Sequence, residues 1–272
     1  MTDMLDRATE RPTIWSTIVG LARYRELIRN LVLKDLKLKY RGSVLGFLWS
    51  LANPLVMMGV YTIAFKYILG SKVEGFAYFL LLGILPWGFF VGSTNMATRS
   101  IFDSSALMKS VRFPPPILPI ATVLFNLAQH LLTIVVFLPL MLLLRGEPLA
   151  APMLLYPLFL GLQVLLTLGL ALVLAAGTVF YRDVLHLLEV ALPILFWVTP
   201  IVYPLSQVPG QWRLLILLSP MSSYIVAYQQ IFFYRQWPAP EVFLVAIVYG
   251  CGAFLLGLRA FLALQDRLSE QL

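Results

Sequence analysis

A single tract of 34 residues, 148–181, contains no charged side chain. A helix needs about 20 apolar residues to cross a bilayer. Six further tracts approach or exceed that length: 42–65, 75–98, 113–144, 190–212, 214–234 and 242–258, uncharged throughout except for the titratable His130. Composition agrees, with 60% of residues apolar or aromatic and 12% charged, where a soluble domain carries about 25% charge. Too little charge remains to coat a water-facing surface, and too much of the chain is apolar for disorder. Backbone polar groups in lipid must be satisfied within the structure, and these tracts lack the alternating pattern of barrel strands. The expected fold is therefore an all-α integral membrane protein. One cysteine, Cys251, excludes an internal disulfide and a cysteine-rich metal site, and no metal or nucleic-acid site is expected.

The charges set the orientation. The segment 1–41 carries nine Lys/Arg and five Asp/Glu and has no short apolar core with a cleavage site, so it is expected to stay in the cytoplasm. Placing 99–112, Arg182 and the C-terminal end inside as well puts 15 basic residues inside and five outside: Lys66, Lys72, Arg145, Arg213 and Arg235. That asymmetry obeys the positive-inside rule. The count treats 190–212 as the fifth span and 214–234 as a non-crossing outer hairpin, because Pro200, Pro204, Pro209, Gly210 and Pro220 interrupt a helix there. Seven full spans with an external C-terminus is the alternative. The expected organisation is a cytoplasmic segment over 1–43, six transmembrane helices within 44–264 with a re-entrant hairpin between spans five and six, and a cytoplasmic tail over 265–272.

Ahead of the first span, 21–34 reads as an amphipathic interfacial helix. Leu21, Tyr24, Leu27, Ile28, Leu31 and Val32 share an arc at about 100° per residue, while Arg23, Arg25, Glu26, Arg29 and Lys34 lie off it. Such a helix lies in the headgroup layer, apolar side down and basic side towards anionic lipid. The pattern fails at Asp35. It serves either as a juxtamembrane anchor or as a docking surface.

The run Lys34-Asp35-Leu36-Lys37-Leu38-Lys39-Tyr40-Arg41-Gly42-Ser43-Val44-Leu45-Gly46-Phe47-Leu48-Trp49-Ser50, closed by Asn53-Pro54-Leu55, resembles the opening signature of permease subunits of ABC transporters that export polysaccharides such as O-antigen, capsule and teichoic acid. Three later stretches agree in order and spacing: Leu107-Met108-Lys109-Ser110-Val111-Arg112-Phe113-Pro114, Tyr181-Arg182-Asp183-Val184, and the run from Phe196 through Trp197 and Pro200 to Tyr203-Pro204. The resemblance extends from about Tyr24 to Leu264. It implies a homodimer in the bacterial inner membrane, both termini cytoplasmic, with two copies of a separate ATPase subunit and a lipid-linked polysaccharide as substrate. No cofactor is expected in this chain, with ATP and Mg on the partner subunit. The residues support that division, because no G-x-x-x-x-G-K-[ST] run occurs to cradle a nucleotide's phosphates. No catalytic residue is expected.

Candidate functional residues fall into three groups. The first is the pair of short cytoplasmic connections. Arg99, Asp103, Lys109, Arg112 and Phe113 in one, and Arg182 and Asp183 in the other, are ATPase-coupling residues by the resemblance and solvated loop charges by composition. With them go Tyr24, Arg25, Arg29 and Lys34 of the interfacial helix. The second is the aromatic set Trp49, Tyr61, Phe65, Phe196, Trp197, Tyr203, Tyr224, Tyr228 and Phe232. Aromatic rings stack on the apolar faces of pyranoses and let a glycan slide, so these are candidate channel-lining residues, and packing or a membrane-interface belt is the alternative. The third is the polar cluster Asn126, Gln129, His130 and Thr133. It suits a proton relay through His130 or interhelical hydrogen bonding, and the absence of any Asp or Glu in that tract weighs against the relay.

Other functions leave recognisable traces. A permease for another lipid or a drug would look much the same. An ion-coupled secondary transporter would carry embedded carboxylates or an inverted repeat. A membrane-embedded transferase would need acids for metal or base chemistry, and the 13 acidic residues lie at the N-terminus, in loops or at span ends.

Overall fold

The computed structural model describes residues 23–43, 46, 48–110, 113–146 and 148–271. Among them there is no β-strand. Helix α1 spans Arg25–Tyr40, and α2 spans Leu48–Tyr61 and continues as a wider π-helical segment, Thr62–Ile68. Then follow α3 (Phe76–Asp103), the short α4 (Ser105–Ser110), α5 (Ile117–Arg145), and α6 (Tyr156–Phe180), which is entered through a 3-10 turn at Ala151–Leu155. Helices α7 (Asp183–Val198), α8 (Gly210–Leu217), α9 (Ser222–Tyr228, extended by a π turn Gln229–Phe233) and α10 (Pro240–Gln271) complete the described residues.

Five of these are long and apolar enough to cross a membrane, and the bent pair α8–α9 supplies a sixth if counted as one broken span. The pair turns through 107° at 218–221, around Pro220. The tract 190–212 does not form the continuous fifth helix its apolarity suggests. Helix α7 starts earlier, at Asp183, and stops at Val198 after 16 residues. Thr199 is extended at φ −81°, ψ 135°, as a residue before proline prefers. The segment behind it then folds inward over α3, where Ile201 and Val202 are buried. Gly83 makes the room: a Cβ there would lie 2.9 Å from the Ile201 side chain and 3.2 Å from its Cα. At the other end of the chain, α10 runs unbroken past 264, so the expected tail continues the last helix.

The bundle centres on α6 and α10. Their backbones touch, because α10 presents Ala246, Gly250, Ala253 and Gly257 on one stripe. A Cβ on Gly169 of α6 would come within 2.1 Å of the Ala253 carbonyl, and one on Gly257 within 2.2 Å of the Gly169 carbonyl. This is the small-residue packing by which membrane helices associate. Helix α3 lies along α6, and α5 along α3. Helix α2 is peripheral: none of its most apolar stretch is buried, against 72% for α3.

A buried polar chain ties the bundle together. The Gln163 amide donates to the Pro86 carbonyl (2.9 Å), and its Oε1 accepts the Tyr228 hydroxyl (2.7 Å). Tyr224 donates to the Ala246 carbonyl (2.7 Å), Thr199 and Ser219 share a hydrogen bond of 2.7 Å, and Gln229 donates to the Pro200 carbonyl (2.8 Å). These bonds clamp the hairpin 199–233 onto α3, α6 and α10. Replacing Gln163 with Leu strands both a carbonyl and a hydroxyl, whereas Tyr228→Phe strands one acceptor. We expect the first to cost about 2 kcal/mol and the second about 1 kcal/mol, read as loss of monodisperse protein on heating in detergent. Equal losses from the two variants would remove the network from the account of stability.

Candidate functional site

At the bundle end that carries α4, the two connections expected to act in coupling come together. Arg99 and Asp103, on the last turns of α3, and Arg182, in the two-residue turn between α6 and α7, line one cleft of 180 Å³ with Phe102, Thr178 and Leu185. The Arg182 guanidinium sits 5.2 Å from the Phe102 ring centroid, a cation–π distance. Asp183 opens α7 in its first turn, where a carboxylate complements the helix dipole. Arg99, Asp103, Arg182 and Asp183 are all exposed. Lys109, also exposed, closes the six-residue helix α4. Phe113 differs from these: it is half-buried against the cluster of Ile101, Ile117, Leu118 and Phe261. Its ring packs the connection against the bundle. Arg112 lies outside the described residues.

Helix α1 also departs from expectation. It continues through the anticipated break at Asp35 to Tyr40. Its apolar arc does not face outward: Leu31 is buried and Tyr24, Leu27, Ile28 and Val32 are half-buried against α3, α5, α6 and α10. Arg25, Arg29 and Lys34 do project from the opposite side, with Glu26–Arg29 and Lys34–Asp35 ion pairs at 3.6 and 3.3 Å. Exposed pairs of this kind contribute about 0–1 kcal/mol, so the packed arc is what seats the helix. Leu21 lies outside the described residues.

The aromatic set divides in two. Tyr61 and Phe65 of the first span meet Phe196 and Trp197 at the end of α7. Tyr61 stacks on Phe196 at 5.7 Å, Phe65 lies 6.4 Å from Trp197, and Phe196 meets Trp197 edge-on at 5.4 Å. Trp197 and Trp49 are exposed, at 55% and 60%, and Tyr203 is half-buried, its hydroxyl donating to the Trp197 and Val198 carbonyls (3.0 Å each). Tyr224, Tyr228 and Phe232, by contrast, are buried at 0, 2 and 3% exposure inside a single chain. Their helical spacing marks a core face, occupied by α3, α6 and α10, and this corrects their expected place on a channel wall. Beside the aromatic cluster, α7 turns Leu187, Val190, Ile194 and Trp197 outward on one stripe.

Between the first span and the bundle lies a larger cleft of 390 Å³. Trp49, Ser50, Asn53, Pro54 and Met57 of α2 face Ile84 to Gly92 of α3 and Asn126, Gln129, His130 and Thr133 of α5 across it, and Lys39 closes one end. The polar cluster of α5 is therefore gathered on one wall. His130 and the Tyr156 hydroxyl are 3.1 Å apart, so the histidine bonds between helices to a hydroxyl. Thr133 and Asn126 bond within α5, to the Gln129 and Thr122 carbonyls. Sequence reasoning passed over Tyr156 and Gln163, isolated polar groups in the long uncharged tract whose partners sit on other helices. A length of 34 residues, well beyond what one crossing needs, was the available hint that this helix is enclosed.

Residues 26–233 match the family described as ABC-2 type transporter. An O-antigen export system permease protein RfbA of Myxococcus xanthus is 37% identical over 226 residues, covering 81% of this chain and 85% of the relative. A second, from Klebsiella pneumoniae, is 28% identical over 239 residues, 87% and 91% of the two chains. The polysialic acid transport protein KpsM of Escherichia coli is 24% identical over 219 residues, 74% and 79%. Helical, multi-pass and matched to the family over most of its length, the chain belongs to the membrane components of ABC-2 type transporters.

Proposed function

We propose that this chain is the channel-forming subunit of an ATP-driven exporter that moves a lipid-linked polysaccharide across the bacterial inner membrane. The relatives named for O-antigen export and polysialic acid transport support the substrate class. The observation that carries the mechanism is the cleft of Arg99, Asp103 and Arg182. Two connections far apart in sequence form one exposed, charged receptacle at the end where α3 and α6 terminate, and α3 and α6 pack along each other in the bundle core. A separate ATPase seated there transmits its closure to α3 and α6 directly, with Lys109 on α4 and the basic side of α1 flanking the contact. Both termini lie on that cytoplasmic side.

Two copies complete the conduit. No described residue of the first span is fully buried within its own chain, and α7 leaves an apolar stripe outward, so these elements are available to a second copy. In that arrangement Trp49, Tyr61, Phe65, Phe196, Trp197 and Tyr203 supply aromatic surface to a passing glycan, and the clamped hairpin 199–233 bounds the outer mouth. Rings offer broad, orientation-tolerant contact, which suits a polymer that must keep moving.

Deleting the gene in a host with a surface polysaccharide tests the reading. Lipid-linked polymer is expected to accumulate on the cytoplasmic side while surface polymer falls at least about ten-fold. An unchanged surface polymer and lipid-linked pool would refute polysaccharide export, and restored export by a drug or lipid substrate alone would favour a permease of that type.

A further inference from the structure

The 390 Å³ cleft holds an arrangement that docking and sliding do not use. At its end, the Lys39 ammonium donates to Gln129 Oε1 and lies 5.9 Å from the Phe125 ring centroid. The Tyr40 hydroxyl also reaches Gln129 Oε1, at 3.5 Å, and shares a hydrogen bond of 2.7 Å with Ser50. Gln129 is 93% buried, and with its oxygen so engaged its amide N–H group is left without a partner. An unpaired buried donor costs about 1–3 kcal/mol, and among the described residues that line the cleft there is no carboxylate to answer it or the ammonium. Partial burial lowers the Lys39 pKa from its ordinary 10.5.

The rest of the cleft is amphiphilic. Asn53 and Asn126 add amides, while Trp49, Pro54, Met57, Ile84, Leu85 and Phe89 form apolar walls. Gly88 keeps the space open, since a Cβ there meets nothing within 4 Å. Depth follows from the helices. At about 1.5 Å per residue, α3 and α5, with 28 and 29 residues, exceed the roughly 30 Å hydrocarbon core. The first span, Leu48–Ile68, matches it. Trp49, Ser50 and Asn53 belong to the first two turns of that span, so the Lys39 end of the cleft lies where the first span begins, while Gln129, the thirteenth of the 29 residues of α5, lies deeper. A cation and one unpaired amide donor at the start of the first span, continuous with an apolar slot, suit an anionic group tethered to a hydrocarbon chain.

We propose that this cleft binds the phosphate of a membrane-anchored lipid, with Lys39 and the Gln129 amide as its donors and the α2–α3 slot as the seat of its chain. The site does not depend on the polymer that is exported, so it stands or falls separately from the export reading. The phosphate could belong to a bulk anionic phospholipid or to a polyisoprenyl diphosphate carrier, and the test separates the two.

Full-length protein in detergent is titrated, under native mass spectrometry, with phosphatidylglycerol, a polyisoprenyl diphosphate, and the phosphate-free diacylglycerol and polyisoprenol. Retention of at least one phosphate lipid is expected to exceed that of its phosphate-free counterpart about ten-fold. Tighter retention of the diphosphate assigns the carrier, and tighter retention of phosphatidylglycerol assigns bulk lipid. Lys39→Gln is expected to lower that retention about ten-fold, and Lys39→Arg to keep most of it. Gln129→Glu, which replaces the amide donor with a carboxylate beside Lys39, is expected to abolish it in protein that remains monodisperse. Lys37→Gln, on the exposed side of α1, serves as the control. Equal retention of phosphate and phosphate-free lipids, or retention indifferent to Lys39→Gln and Gln129→Glu, would overturn the proposal.

Discussion

Reversing two charges together, Arg99→Glu with Arg182→Glu, is expected to lower ATP-driven transport about 100-fold while leaving the permease folded. Both side chains are exposed, and exposed substitutions away from special features change stability by about 0.5 kcal/mol or less. Their effect therefore falls on whatever docks in the cleft. Losing one partner of a hydrogen-bonded charge pair at a buried interface costs about 2–5 kcal/mol, and about 2.8 kcal/mol corresponds to 100-fold. Either change alone leaves the other arginine in place, so the double variant is expected to exceed both. The readouts are co-purification of the ATPase subunit and transport per ATP hydrolysed in proteoliposomes. A doubly reversed protein, expressed normally, that still pulls down the ATPase and transports at the parental rate would show that this cleft is only a solvated surface.

Gly257→Ala is expected to be among the most damaging single changes for its size. The added Cβ would meet the Gly169 carbonyl oxygen at 2.2 Å and its carbon at 2.7 Å. Those atoms are backbone and cannot turn aside, so α6 and α10 must separate along the seam that holds the bundle. Overpacking a tight core costs about 1–3 kcal/mol and sometimes more, and here the strain is spread over the whole helix pair. Gly252, five residues earlier, provides the control, because a Cβ there meets nothing within 4 Å. Gly252→Ala is expected to be neutral or to stabilise by up to about 1 kcal/mol, through the helix preference of alanine. Half-inactivation temperatures of the two variants in detergent decide the matter, and matching temperatures would mean that the α6–α10 seam is not close-packed at Gly257.

The two clefts show where sequence reasoning reached and where it stopped. Arg99, Asp103 and Arg182 were identifiable in advance because short basic connections between apolar tracts are local features. That they line one receptacle depends on where α3 and α6 end relative to each other. Lys39 and Gln129, 90 positions apart, carried no joint signal: one belonged to a basic juxtamembrane run and the other to a polar cluster in a distant span. The same limit explains the aromatic residues. Tyr61 with Phe65 and Tyr224 with Tyr228 have the same four-residue spacing, yet one pair joins a partly open cluster and the other is sealed inside the protomer.

Read alone, the amino-acid sequence determined that this chain is helical and lives in a membrane, where its apolar tracts lie, and which connections carry charge. Those properties follow from local composition and from the cost of leaving backbone groups unpaired in lipid. Only the tertiary structure decided which faces meet. It ended the fifth apolar tract at Thr199 and folded the continuation over Gly83, laid the apolar arc of α1 against the bundle, and pressed α10 onto α6 through Gly169 and Gly257. The physical reason is that periodicity names a face without naming its partner. The partner is chosen by close packing between helices far apart in the chain, and in a solvent as apolar as the side chains themselves, shape and hydrogen bonding make that choice.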